Sequence, residues 1–129
     1  MPIAFFPGKF QPPHLGHVLT ICRLRKKYDR VIVGITNDVP RVIDRNEIRN
    51  IFKLVFEDSI DILIFDGKLT EWKSSMGLPD FDELVSGNGE VLHWGRRMGI
   101  KSVMTPRTEG IGYSGTEIRD LYKKRSKNL

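Results

Sequence analysis

The chain has 129 residues, with 21 Lys and Arg against 16 Asp and Glu, a formal net charge of +5. That length suits one domain with one sizeable core, and 40% apolar with 29% charged residues suits a soluble globular fold. The longest apolar runs fall far below membrane-spanning length, so no membrane partner is expected. The single Cys22 excludes an internal disulfide and suits a reducing compartment. Residues 1–3 run directly into an apolar segment without a signal peptide, so a cytoplasmic location is expected.

The basic balance suits an anionic partner, either a nucleotide or a nucleic acid. The excess is local: Arg23, Arg25, Lys26 and Lys27 end the first predicted helix, and Lys123, Lys124, Arg125 and Lys127 end the last. Cations there complement the helix macrodipole, so both clusters read first as solvated helix termini. No zinc-finger spacing or RNA-binding signature appears, and nucleic acid is not the expected partner.

Residues 3–6 form a short apolar and aromatic run of the kind that makes a buried strand. Pro7, Gly8, Lys9, Pro12 and Pro13 break it, since paired prolines fix their φ angles and cannot continue a ladder. A helical pattern starts after His14, with Leu15, Val18, Ile21, Cys22 and Leu24 on one stripe. Cys22 therefore reads as core and not as a nucleophile. Two histidines and a lysine thus sit where a strand turns into a helix. Open α/β sheets bind ligands at such places, and free N–H groups at a helix start attract phosphate.

Residues 30–36 are β-branched and apolar, a second buried strand, and residues 37–40 make a turn. Asp44 and Glu47 have capping-box spacing, and Ile48, Ile51, Phe52, Val55 and Phe56 give the stripe of a second helix. Residues 61–65 form a third strand, ended by Asp66-Gly67. Residues 68–80 show no periodicity and read equally as a mobile loop over the site or a plain connection. Residues 81–86 contain a weak fourth strand, 86–89 a turn, and a short helix follows with Val91, Leu92 and Met98, for which Gly99 suits the C-cap. Residues 100–104 form a fifth strand stopped by Pro106, and after a glycine-rich stretch residues 116–124 form a final helix with Ile118, Leu121 and Tyr122 apolar. Strands alternating with helices predict one α/β domain over residues 1–129, a doubly wound parallel sheet.

His14-Leu15-Gly16-His17 resembles the H-x-G-H signature of the nucleotidyltransferase superfamily, and the stretch Gly8 to His14 most resembles the G-[RK]-F-Q-P-x-H opening of archaeal-type nicotinamide-mononucleotide adenylyltransferases. Tyr113-Ser114-Gly115-Thr116-Glu117-Ile118-Arg119 resembles a second motif of the same family, I-S-[SG]-T-x-[IL]-R. Read by itself, that stretch is a helix start with Ser114 as N-cap and Glu117 as its capping-box partner, and the same open N–H groups can hold a triphosphate. Val85-Ser86-Gly87-Asn88 resembles a turn of the adenylyltransferases and reads equally well as a plain turn.

The resemblance implies a Rossmann-like five-stranded sheet of order 3-2-1-4-5 and a nucleotidyl transfer, in which an acceptor phosphate attacks the α-phosphate of a nucleoside triphosphate and pyrophosphate leaves. The attacking oxygen is already anionic, so alignment and charge stabilisation are what the protein must supply. His14, His17, Lys9 and Arg119 are the expected catalytic donors, with Mg2+ bridging phosphates and no residue assigned as a metal ligand. Phe6, Pro7, Gly8, Phe10, Gln11, Gly16, Ser114, Gly115 and Thr116 are expected along the nucleotide, and Asn37, Asp38, Trp72 and Asn88 beside the acceptor.

ATP with nicotinamide mononucleotide is the first expectation. CTP with a small phosphorylated alcohol is the alternative, because Arg107-Thr108-Glu109-Gly110-Ile111 resembles a motif of small cytidylyltransferases. A non-catalytic nucleotide or RNA binder on the same fold has only the basic termini in its favour. The sequence is compatible with a homo-oligomer and does not identify the acceptor.

Overall fold

The computed structural model describes residues 2–8, 10, 13–36, 44–71 and 78–105. Its elements alternate as the patterning predicts: β1 (Ile3–Gly8), α1 (Leu15–Lys27), β2 (Arg30–Thr36), α2 (Arg45–Phe56), β3 (Asp61–Phe65), β4 (Glu83–Ser86), α3 (Gly89–Arg97) and β5 (Ser102–Met104). The strands form one sheet of order β3-β2-β1-β4-β5. Every neighbouring pair is parallel, with Ala4 opposite Val31, Phe5 opposite Leu84, and Gly34 opposite Leu63. The chain moves outward from β1 through β2 to β3, then returns to β4 on the other side of β1. The order therefore reverses between β1 and β4, the place where open parallel sheets bind ligands.

The period-2 alternation of the strands divides the core in two. Ala4, Phe6, Val31, Val33, Ile35 and Val85 face α1 and α2, where they meet Ile21, Leu24, Ile48, Phe52 and Phe56. Phe5, Ile32 and Leu84 face the other way, toward Trp94 of α3, Phe65 and Leu69. Strands buried on both faces need near-continuous apolar runs, which is what residues 3–6 and 30–36 supply.

Several expectations change. Leu15, first on the apolar stripe expected for α1, is exposed at the start of that helix. The apolar stripe of α2 narrows to Ile48, Phe52 and Phe56, while Ile51 and Val55 are exposed together with Leu54. A single ridge spaced by four residues packs on the sheet, and the flank of the stripe stays outside it. Asp44 caps α2 through the Asn46 N–H at 2.8 Å, one residue earlier than the box spacing implies. Met98 is exposed, and Trp94 joins the expected Leu92 as a buried side chain of α3. Within residues 68–80, Leu69–Glu71 forms a 3-10 turn, Leu69 and Leu78 pack in the cluster of Trp94 and Phe5, and residues 72–77 lie outside the described residues.

The end of α3 shows why Gly99 stands where it does. Its φ is +75°, and the Gly99 N–H donates to Arg96 O while the Ile100 N–H donates to Gly95 O at 2.8 Å. This is a Schellman closure, which favours glycine at the left-handed position. Gly95 answers a different need, close approach. A Cβ there would stand 2.6 Å from Leu84 Cδ2 and closer still to Ser102 Oγ, so α3 presses directly on side chains of β4 and β5.

Candidate active site

The start of α1 is built by the two histidines themselves. His14 is the N-cap, in extended backbone, and its Nδ1 accepts from the Gly16 N–H at 3.0 Å. His17, three residues on, turns its Nδ1 back to accept from the His14 N–H at 3.1 Å. Two orphan donors of the helix start are thereby satisfied reciprocally. This is a capping box in which imidazoles replace the usual hydroxyl and carboxylate. The spacing was visible in the sequence as H-x-x-H. The signal was missed because capping boxes are looked for among Ser, Thr, Asp, Glu and Gln.

The box decides the chemistry of both rings. An Nδ1 that accepts a hydrogen bond carries no proton, so each neutral imidazole keeps its proton on Nε2. The rings stack, with centroids 3.8 Å apart and planes at 24°. Two imidazolium cations at that separation would repel. Burial holds His14 below the ordinary histidine range, and burial followed by the charge of His14 lowers His17 to about 3. The pair is therefore two neutral Nε2–H donors at a helix N-terminus, in a first turn without an acidic residue. Such a start favours an anion through its remaining N–H groups and its macrodipole.

The other expected residues divide into three sets. Gly16 is buried in the first turn, where its carbonyl accepts from Thr20 Oγ1 at 2.9 Å. Phe6 and Pro7 are buried in β1, and Phe10 is 3% exposed. The Phe10 ring lies in the core with its edges or faces against Phe6, His17 and Phe52. Apolar packing turns both rings inward, with Phe10 against the His17 ring at the start of α1. Asn88 is the N-cap of α3: its Oδ1 accepts from the Glu90 N–H, and its own N–H donates to Ser86 Oγ. Residues 85–88 thus make the turn into α3, at the carboxyl end of the strand beside β1. Lys9, Gln11, Asn37, Asp38, Trp72, Ser114, Gly115, Thr116 and Arg119 lie outside the described residues, as does the helix expected at 116–124.

Comparison with known proteins places this geometry. Residues 5–55, which span β1 to the end of α2, match the family described as Cytidylyltransferase-like. The nicotinamide-nucleotide adenylyltransferase of Sulfurisphaera tokodaii is 32% identical over 92% of this chain and 77% of its own length. The chain belongs to the nucleotidyltransferase superfamily. The phosphopantetheine adenylyltransferase of Aquifex aeolicus is 27% identical, over 90% of this chain and 80% of the relative. Among solved structures, a bifunctional NMN adenylyltransferase/ADP ribose pyrophosphatase of Francisella tularensis, complexed with AMP and a manganese ion, superposes with a TM-score of 0.72 at 14% identity. It covers 96% of this chain, which in turn spans less than half, 42%, of that larger one.

In this nucleotidyltransferase the sheet of order β3-β2-β1-β4-β5 is shared with the fold of that solved adenylyltransferase. The described residues contain no group of three or more His, Cys, Asp or Glu that could hold a metal ion. No described helix is long and apolar enough to cross a membrane.

Proposed function

We propose that the chain, as one domain over residues 1–129, transfers the adenylyl group of ATP to a small phosphorylated acceptor, nicotinamide mononucleotide in the first instance, with release of pyrophosphate. The observation that carries this reading is the pair of neutral Nε2–H donors at the start of α1, beside the point where the strand order reverses. Curated relatives at comparable length are named adenylyltransferases, which favours adenine over cytosine. Both of those relatives are named for acceptors that carry a phosphate.

The division of labour follows from the protonation states. His14 and His17 are neutral, so they can orient and stabilise phosphate oxygens but contribute no formal charge. The positive charge in this reading comes from Lys9 and Arg119. Arg119 is suited to a bidentate grip on two phosphate oxygens. The acceptor phosphate is its own nucleophile, and the protein needs no general base. What the site contributes is alignment and donors aimed at the α-phosphate and the leaving pyrophosphate. A divalent cation, magnesium in this reading, would sit on the triphosphate oxygens and neutralise part of their charge. Such a cation commonly arrives with substrate phosphates and needs few protein ligands. Cys22 is a free thiol, in keeping with a cytoplasmic enzyme.

The test is pyrophosphate release across a matrix of the four nucleoside triphosphates and a panel of phosphomonoesters, with and without magnesium. ATP with nicotinamide mononucleotide is expected to lead. Preference for CTP with a polyol phosphate would overturn the base and the acceptor together, and silence across the matrix would overturn the transfer itself.

A further inference from the structure

Phe10 follows β1 by two residues and has a φ of +51°. A bulky L-residue is disfavoured there, because its Cβ crowds the backbone carbonyl. Such a conformation persists where the surroundings over-determine it. The surroundings here are aromatic. The Phe10 ring meets Phe6 at 5.7 Å between centroids, Phe52 at 5.0 Å and His17 at 4.7 Å, with interplanar angles of 67°, 85° and 83°. All three are edge-to-face contacts, the arrangement favoured by the ring quadrupole. On its remaining side the ring lies against Gly8, where a Cβ would stand 3.0 Å from Phe10 Cζ. Phe10 is thus clamped between β1, α2 and the first turn of α1.

We propose that Phe10 is a positioning residue: its ring is the wall that sets the depth and tilt of the His17 imidazole, and so the direction of its Nε2–H. The capping bond at Nδ1 and the stacked His14 ring hold His17 from within the first turn of α1. The perpendicular contact with Phe10 holds the same ring from outside that turn and ties it to the core. Phe52 stands behind Phe10, so the direction of the donor is registered against α2 as well as α1. The strained backbone of Phe10 turns an otherwise strand-directed side chain under the helix start. A smaller or unbranched apolar residue would fill part of the volume without offering a flat wall. The proposal rests on the reading of His17 as a phosphate donor, and its test separates the two.

The variants are Phe10→Leu and, as a matched core control, Phe56→Leu. Phe56 belongs to the same buried cluster, and its ring neighbours that of Phe52, one turn further along α2. Histidine ring resonances are followed by NMR in the ligand-free protein as pH is varied, and kcat and KM are measured by pyrophosphate release. Phe10→Leu is expected to move the His17 ring signals and raise its titration midpoint toward the ordinary histidine range. It should also lower kcat roughly ten- to a hundredfold, the scale of a misplaced group, with triphosphate KM changed less than about twofold. Phe56→Leu should lower the melting temperature and leave the His17 signals in place.

A folded Phe10→Leu with wild-type His17 signals and wild-type kcat would overturn the proposal. Should Phe10→Leu fail to fold, Phe52→Leu loosens the same wall from behind. It must shift His17 in the same direction by less, and unmoved His17 signals would overturn the proposal equally. The NMR readout decides the positioning whether or not pyrophosphate is released, and pyrophosphate release by the wild type decides the reaction.

Discussion

Two helices begin at the carboxyl ends of neighbouring parallel strands, and their starts are built in opposite ways. At α2, Asp44 caps the Asn46 N–H, Glu47 adds a carboxylate to the first turn, and Arg45 is tied to the end of β3 through Asp66 Oδ1 at 2.9 Å. The partial positive charge of that helix start is already answered by the protein. At α1 the cap and its reciprocal partner are His14 and His17, both neutral, and no acidic residue occupies the first turn. Each cap satisfies backbone donors, but only the histidine box leaves the macrodipole unanswered and adds two N–H donors of its own. A helix start can therefore be closed for stability or left open for an anion, and the difference lies in which groups make the cap.

The largest expected effect breaks the open start directly. His17→Ala should cut turnover by at least about a hundredfold, the usual scale for one lost donor to a developing charge. Pyrophosphate release at saturating substrates measures it. A variant that keeps its fold and its turnover would reduce the histidine box to a cap like that of α2.

The second effect is on stability and its sign follows from protonation. An unfolded histidine takes up its proton near 6.5, whereas His17 in the fold does so only near 3. Between those values the unfolded chain binds more protons, so stability is full above about 6.5 and is lost as pH falls toward 3. His14 shifts in the same direction through burial. Urea midpoints recorded from neutral pH to about pH 4 should fall less steeply for His17→Gln than for the wild type. Parallel slopes would show that His17 is not held neutral.

The closed start should respond differently. Asp44→Ala is expected to cost about 1 kcal/mol of folding stability, the common value for a lost N-cap, with turnover within about twofold of wild type. Equilibrium urea unfolding and the pyrophosphate assay together check it. A large loss of activity at unchanged stability would place Asp44 in the site.

The smallest effect sharpens the contrast by making α1 resemble α2. Leu15 is the first residue of α1 and is 53% exposed. Leu15→Glu should stabilise the helix by about 0.3–1 kcal/mol through the macrodipole while raising triphosphate KM several-fold by repulsion. If stability and KM both stay put, the dipole of α1 is of no consequence to binding.

Much of this was legible without coordinates, where the signal was local. The runs at residues 3–6, 30–36 and 61–65 carry their own strand period. The proline-broken turn before His14 announces a strand-to-helix change by itself, because φ restriction is a property of each residue. The histidine pair could be singled out for the same reason, from spacing and neighbours alone.

Other features depended on packing at a distance. Ile51 and Val55 share a stripe with Phe52 in the sequence, yet only the ridge of Ile48, Phe52 and Phe56 meets the sheet. Trp94 and Leu69, separated in the chain, complete one core cluster. Phe10 sits in a motif that reads as a ligand loop, and its ring belongs to the core beneath His17. Alternation of strands and helices determined that a parallel α/β sheet would form, because each period dictates its own element. The tertiary structure decided which face each helix buries and which ring supports which, and it added to the local histidine box the burial that keeps the two imidazoles neutral, because burial exists only once distant segments have met.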